Sequence, residues 1–209
     1  MAKAQRSPKS SDIGARDRLL VAAAELFSRK GYAATTTREI VASAGVTKPV
    51  LYYYFQNKEG IYLELMRKAL AGFEEVVNAC LTGAGTARER LLSICDQVFA
   101  LFMDHIEVVR LMYSIYYGPP QGAPFFDFDA PHLKLQETMM QLVDEGIRKR
   151  EFREGARQDM TWAILGSVNI AMEVELCHPE RRMGREGLAR VLALILEGLS
   201  THQATEKGE

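Results

Sequence analysis

Three cysteines in 209 residues leave little scope for disulfide or metal chemistry. Cys80, Cys95 and Cys177 are odd in number and far apart, and no pair has metal-ligand spacing. They are expected to be buried, reduced thiols of a cytoplasmic protein. No stretch alternates apolar and polar residues as a half-buried strand would, and no internal repeat or low-complexity block is present. An excess of one charge is also lacking, since 26 Lys and Arg stand against 27 Asp and Glu. The first eleven residues contain no apolar run and do not read as a signal peptide, and no later segment reads as a charge-free membrane span. G-x-S-x-G, phosphate-loop and dinucleotide motifs are all missing. His105, Glu175 and Cys177-His178 lack zinc-like spacing, so structural roles and no metal are expected there. Glu173 and Glu175 fall on opposite sides of any helix through them and cannot share a substrate. These absences argue against an enzyme, with no catalytic residue and no cofactor expected.

What is present is uneven. Residues 1–60 carry ten Lys/Arg against five Asp/Glu, whereas 61–209 carry sixteen against twenty-two. The phosphate-attracting part is therefore N-terminal. Within it, TTTREIVASAGVTKPVLYYYFQNKEG (residues 35–60) reads as two short helices and the start of a third. Thr36 and Glu39 have capping-box spacing, Ile40, Val41 and Ala44 form an apolar stripe, and Gly45 ends the first helix. Thr47 is expected to cap the next, with Pro49 in its first turn and Leu51 and Phe55 inward. Lys48, Pro49, Val50, Tyr52, Tyr53 and Tyr54 are left outward. Three tyrosines make a poor solvated face but suit a surface that meets the DNA major groove.

This stretch resembles the DNA-binding half of the TetR family of bacterial regulators. The likeness is carried by Gly31-Tyr32, Thr35-Thr36-Thr37, Ile40, Ala44-Gly45-Val46-Thr47, Leu51-Tyr52 with Phe55, and Lys58-Glu59 with Ile61. Val41 stands where the family commonly has Ala, and Tyr54 where it usually has His. Thr36, Thr37, Tyr52, Tyr54 and Lys58 are expected to hold phosphates, and Arg38, Lys48, Pro49, Val50 and Tyr53 to face base edges.

Along the chain, residues 1–11 read as a flexible basic arm with Lys3, Arg6 and Lys9, and 12–60 as the helix-turn-helix domain. The first helix should be capped by Ser11 or Asp12, bury Leu20, Ala23, Ala24 and Phe27, and close at Gly31. Asn57 should cap a fourth helix to about Leu81, apolar at Ile61, Leu65, Ala69 and Phe73. After a Gly-containing break at 82–86, helices are expected over about 87–104, 106–117, 131–150, 158–177 and 184–199. The fold is thus expected to be all-α with about nine or ten helices. Its N-terminal three-helix bundle should precede a helical ligand-binding and dimerisation domain over 61–201 and a flexible tail over 202–209.

The helix over 158–177 is apolar on nearly every side and reads as buried all round. The last helix carries Leu188, Val191, Leu192, Ile195 and Leu199 on one stripe. Pairing these two helices with a second copy would make a four-helix bundle and a two-fold homodimer, as the resemblance also implies. Phe99, Phe102, Met103, Met112, Tyr113 and Tyr116 suit either a plain core or an adaptable apolar ligand cavity. Trp162, Asn169 and Glu173 share one helical stripe. Glu173 is expected either to contact a flat or cationic apolar ligand or to pair with an arginine such as Arg190 across the dimer.

Taken with the resemblance, these features imply a cytoplasmic, nucleoid-associated homodimeric regulator. It would most naturally be a repressor, released from inverted-repeat operator DNA by a small apolar effector, aromatic or cationic. The alternative is a ligand-independent DNA-binding protein of the same fold, acting in chromosome organisation or through protein partners.

Overall fold

A computed structural model of the chain describes residues 14–201. The expected arm with Lys3, Arg6 and Lys9, the cap at Ser11 or Asp12 and the tail over 202–209 lie outside those residues. Among the described residues are nine α-helices, a 3-10 turn at Pro179–Arg181 and one isolated bridge, Phe152 to Ser200. The helices are α1 (Ala15–Ala34), α2 (Thr37–Ser43), α3 (Lys48–Phe55), α4 (Lys58–Thr82), α5 (Ala87–Asp104), α6 (Ile106–Tyr116), α7 (Asp129–Arg148), α8 (Arg157–Cys177) and α9 (Gly184–Leu199). The all-α class expected from the sequence is the one observed.

The chain forms two compact units. One runs to Ala69 and takes in Glu107–Phe126, and the other holds Leu70–Ile106 and the chain from Asp127 onward. The division falls inside α4, whereas the sequence suggests changes at Gly60 and at residues 82–86. A Gly-rich stretch marks where the chain turns, not where packing ends.

In the first unit α1, α2 and α3 pack on one another. Leu20, Ala23, Ala24 and Phe27 are all buried, with Ile40, Leu51, Phe55 and Ile61 around them. Gly31 does not close α1. It kinks the helix at φ 82°, and the chain resumes helical form to Ala34. Any side chain there would be strained by that φ and would also meet Gln121 Oε1 at 2.6 Å. The buried Thr35 hydroxyl secures the end of the helix by donating to Gly31 O at 2.9 Å.

In the second unit α8 packs between α7 and α9, and α5 lies against all three. Leu91, Ile94, Phe99, Met139, Ile164 and Leu192 are among its core side chains. Thr86 and Glu89 form a capping box that starts α5. Asp127 starts α7 two residues earlier than Pro131 suggests, accepting from Asp129 N and Ala130 N at 3.0 and 3.1 Å. Two expectations fail here. Cys177 is exposed while Cys80 and Cys95 are buried; burial pushes the Cys95 thiol up to about 12. Nor is α8 buried all round: its most apolar stretch, which by length and composition alone could cross a membrane, is only 44% buried.

Phe152, 1% exposed, lies against α7 where Gly146 leaves room, and a Cβ at Gly146 would overlap the Phe152 ring. Alanine normally gains about 1 kcal/mol over glycine inside a helix. Here the overlap should outweigh that gain, and Gly146→Ala is expected to cost about 1–3 kcal/mol. Urea unfolding would show a lowered midpoint, partly restored by adding Phe152→Leu.

Candidate nucleic-acid interface

Two short helices and the turn between them make the site. Thr36 and Glu39 form the expected capping box on α2. At the other end Gly45, at φ 62°, lets Val46 N reach Val41 O at 3.0 Å, closing α2 with the 6→1 bond of a Schellman turn. Arg18 Nε donates to Ala44 O at 3.1 Å and holds the turn against α1. Thr47 occupies the cap position of α3 but makes no side-chain cap bond, contrary to expectation. Its exposed hydroxyl is therefore available to another acceptor.

On α3, Leu51 and Phe55 are buried, and the opposite face is open. Lys48 and Pro49 are exposed, Val50 is half-buried, and Tyr52 and Tyr54 are exposed by 49% and 42%. Tyr53 stands out at 82%, with the Tyr54 ring edge-on 4.9 Å away. Arg38 is exposed on α2 and Thr37 half-buried beside it. Among the described residues neither Arg38 nor Lys48 is tied to an acidic partner, whereas Arg16 and Arg67 pair with Glu64, Lys30 with Glu39 and Lys68 with Asp17.

Two residues expected to contact phosphates have partners within the protein. The Thr36 hydroxyl accepts from Glu39 N and donates to Glu39 Oε2 at 2.9 Å, so its one proton is committed. Lys58 Nζ donates to Tyr32 O at 2.9 Å and Thr35 O at 3.0 Å and lies 4.1 Å from the centre of the Tyr32 ring. Burial holds its pKa below the usual lysine range. It is a staple between α1, α2 and α4 that local sequence pattern does not reveal, because its acceptors are 23 and 26 residues away.

The residues singled out for a ligand fall in both units. Phe99 and Phe102 are buried on α5 with rings 5.7 Å apart, and Met103 is half-buried after them. Met112, Tyr113 and Tyr116 belong to the other unit, with both tyrosines exposed. Trp162 (56% exposed), Asn169 and Glu173 lie on the open stripe of α8, so Glu173 is not buried within a single chain. The buried carboxylate is Glu175, 1% exposed, which accepts from Gly184 N at 3.0 Å and pairs with Arg182 at 3.3 Å. The space between Ile94, Val98, Met139 and Leu165 is about 10 Å³, room for one water at most. A cleft of about 340 Å³ elsewhere in this unit is walled by Arg90, Asp144, Glu145 and Arg148.

The expected dimer stripe needs a similar correction. Leu188, Leu192 and Leu199 point into the protomer core, and Val191 and Ile195 are half-buried. The open apolar surface is instead Trp162 and Ile170 on α8 and Leu194, 71% exposed, on α9. Leucine on both faces of α9 hides from the sequence which face is covered.

The family described as "Bacterial regulatory proteins, tetR family" matches residues 19–65, the span of this helix-turn-helix and its supports. Residues 19–65 are a TetR-family DNA-binding domain. The chain is similar over most of its length to the transcriptional repressor KstR2 of Mycolicibacterium smegmatis, 28% identical over 93% of this chain and 95% of that protein. Against the regulator QacR of Staphylococcus aureus it is 47% identical, over 24% of this chain and 27% of that one. Among solved structures, the TetR family regulator PfmR of Thermus thermophilus matches with a TM-score of 0.69 and 27% identity over 88% of this chain and 100% of that chain. With a TetR-family DNA-binding domain and this similarity along most of its length to a repressor, the chain is a DNA-binding transcriptional regulator.

Lys58→Met keeps the aliphatic stem over Tyr32 but removes the donors. It should cost about 1–3 kcal/mol of stability and weaken binding to every DNA, with the dependence on salt unchanged. A salt slope lowered by about one unit would restore Lys58 to the phosphate-contacting set. The Glu39 carboxyl is pulled from 4.5 to about 2, first by Lys30 and then by the Thr36 backbone and hydroxyl. A lowered folded pKa stabilises above the unfolded value and is lost on acidification, so this contribution should vanish between about pH 4.5 and 2. Chemical unfolding across that range should show the wild-type advantage over Glu39→Gln shrinking as pH falls.

Proposed function

We propose that the protein is a homodimeric repressor that holds an inverted-repeat operator through α2 and α3 of each protomer and is released by a small apolar ligand. The observation that carries the DNA-binding part is the outer face of α3, where an unpaired Lys48 and three exposed tyrosines follow a capped, glycine-closed turn. Lys48, Pro49, Val50 and Tyr53, with Arg38, take base edges, and Thr37, Tyr52 and Tyr54 take phosphates, joined by the free Thr47 hydroxyl. In this reading residues 12–60 contact DNA, 61–201 serve ligand binding and dimerisation, and the protein works in the cytoplasm on the nucleoid as a regulator and not as an enzyme.

An apolar ligand is supported by relatives' names. The structure of the ketosteroid transcriptional regulator KstR2 of Mycobacterium tuberculosis matches with a TM-score of 0.71 at 21% identity over 90% of this chain and 96% of that one. A Bacillus subtilis fatty acid metabolism regulator is 30% identical over 48% of this chain and 50% of that protein. The exposure of Glu173 removes the ground for preferring a cation. A ligand that favours the form with poorly spaced DNA-reading heads lowers operator affinity by its differential affinity for the two forms. The tightly filled core between Ile94 and Met139 favours the second reading, a ligand-independent DNA-binding protein of the same fold. Titrating acyl and steroid ligands into operator-bound protein separates the two, since release supports the first and indifference to all of them the second.

Dimerisation through the open faces of α8 and α9 gives a further expectation. Ile170 and Leu194 are exposed in the protomer, so Ile170→Lys with Leu194→Lys should leave helicity and fold intact. Sedimentation should then report monomers where the wild type is dimeric, with operator affinity lowered about tenfold or more as two-site binding is lost. A variant that stays dimeric would place the interface elsewhere. Leu192→Glu, by contrast, should unfold the second unit, because Leu192 is only 2% exposed within one protomer.

A further inference from the structure

The surface that α3 offers to DNA has a restricted chemistry. Its eight residues, KPVLYYYF, include no arginine, no amide and no carboxylate. In the major groove a side-chain amide reads adenine through N6 and N7, and a carboxylate accepts from cytosine N4. A cation reads guanine through O6 and N7, and an apolar group meets the thymine C5 methyl. Only the last two kinds of reader are present on this helix. Lys48 is its first residue, exposed and unpaired, at the N-terminal end from which such helices contact bases. Pro49 and Tyr53 are four residues apart and share one helical face. The Tyr54 ring, 78° to that of Tyr53, narrows the directions in which the Tyr53 ring can point. Gln56, the nearest amide, lies beyond the opposite end of the helix in a backbone conformation of φ 63°.

Resting on the reading of α3 as the DNA-reading helix, the geometry points to an operator half-site that α3 specifies through guanine acceptors and thymine methyls alone. Lys48 takes guanine O6 and N7, and the Pro49 and Tyr53 rings take thymine methyls. No adenine or cytosine edge is read by this helix. Tyr53 acts through its ring, so its hydroxyl is dispensable. This sets it apart from a phosphate-holding tyrosine, which needs the hydroxyl.

The test selects operators from a random-sequence duplex pool with the full-length protein and then replaces single bases in the selected half-site. Deoxyuridine removes the thymine methyl, 7-deazaguanine removes the guanine N7 acceptor, and 7-deazaadenine removes the adenine N7. Deoxyuridine and 7-deazaguanine at the contacted positions should each lower affinity about fivefold or more, with 7-deazaadenine costing less than about twofold. Tyr53→Ala should bind thymine and deoxyuridine sites alike, Tyr53→Phe should keep the wild-type preference, and Lys48→Met should lose the 7-deazaguanine penalty. Gln56→Ala should leave all base preferences in place. A penalty for 7-deazaadenine matching the others, indifference to deoxyuridine, or loss of thymine preference in Tyr53→Phe would each overturn the inference while leaving the operator reading intact. A pool that yields no inverted repeat overturns both.

Discussion

The first unit depends on a half-buried ammonium. Lys58, at the start of α4, donates to Tyr32 O and Thr35 O, carbonyls on either side of the passage from α1 to α2. The last turn of α1 and the residue that follows it are thereby fixed to the head of α4. The Tyr32 ring beneath the ammonium is itself held by Phe27 at 5.3 Å and Tyr62 at 5.2 Å, so the cation sits on a packed aromatic floor. Charged hydrogen bonds of this kind are among the stronger ones. The orientation of α2, and through its glycine-closed turn that of α3, follows from where these carbonyls are held.

That arrangement explains what the sequence discloses and what it hides. The capping box at Thr36 and Glu39, the turn at Gly45 and the inward pair Leu51 and Phe55 are local, set by neighbours within five residues, and all three are visible in the pattern. The staple made by Lys58 is hidden because the pattern sees a lysine beside a DNA-reading helix but not the carbonyls it also binds. At Thr36 the capping box competes with a phosphate contact, since one hydroxyl proton cannot serve both a carboxylate and a phosphate. Gln121, which accepts from Tyr32 N at 3.0 Å across 89 residues, leaves no local signal.

In the second unit the helices are legible but their faces are not. α8 is apolar on both sides, and hydrophobicity cannot say which side meets its own chain and which waits for something else. The burial pattern decides it, with Ile164, Leu165, Val168 and Ala171 inward and Trp162, Asn169, Ile170 and Glu173 outward. The opposite placement of Glu173 and Glu175 follows from their spacing, but which of the two is buried does not. Glu175 is tolerated inside because Gly184 N and Arg182 satisfy it, and it thereby ties the start of α9 to the end of α8.

The return of Glu107–Phe126 to the first unit gives the helix-turn-helix a neighbour distant in sequence. Gln121 stands over the Gly31 kink, accepting from Tyr32 N while its amide donates to Ser114 O at 3.1 Å, and Ser28 on α1 donates to Glu107 at the start of α6. The kink requires a glycine because φ there is positive and because Gln121 fills the place of a Cβ. The residue that receives the Gln121 contact through its N–H is also the one whose carbonyl and ring hold Lys58. A shift of α6 against α1 must therefore either break the Gln121 bond or carry Tyr32 with it. Carrying Tyr32 would disturb the staple that sets α2 and α3. Either course costs free energy on the scale of a hydrogen bond or more, so the DNA-reading helices and the 107–126 segment are energetically coupled by contacts within one unit.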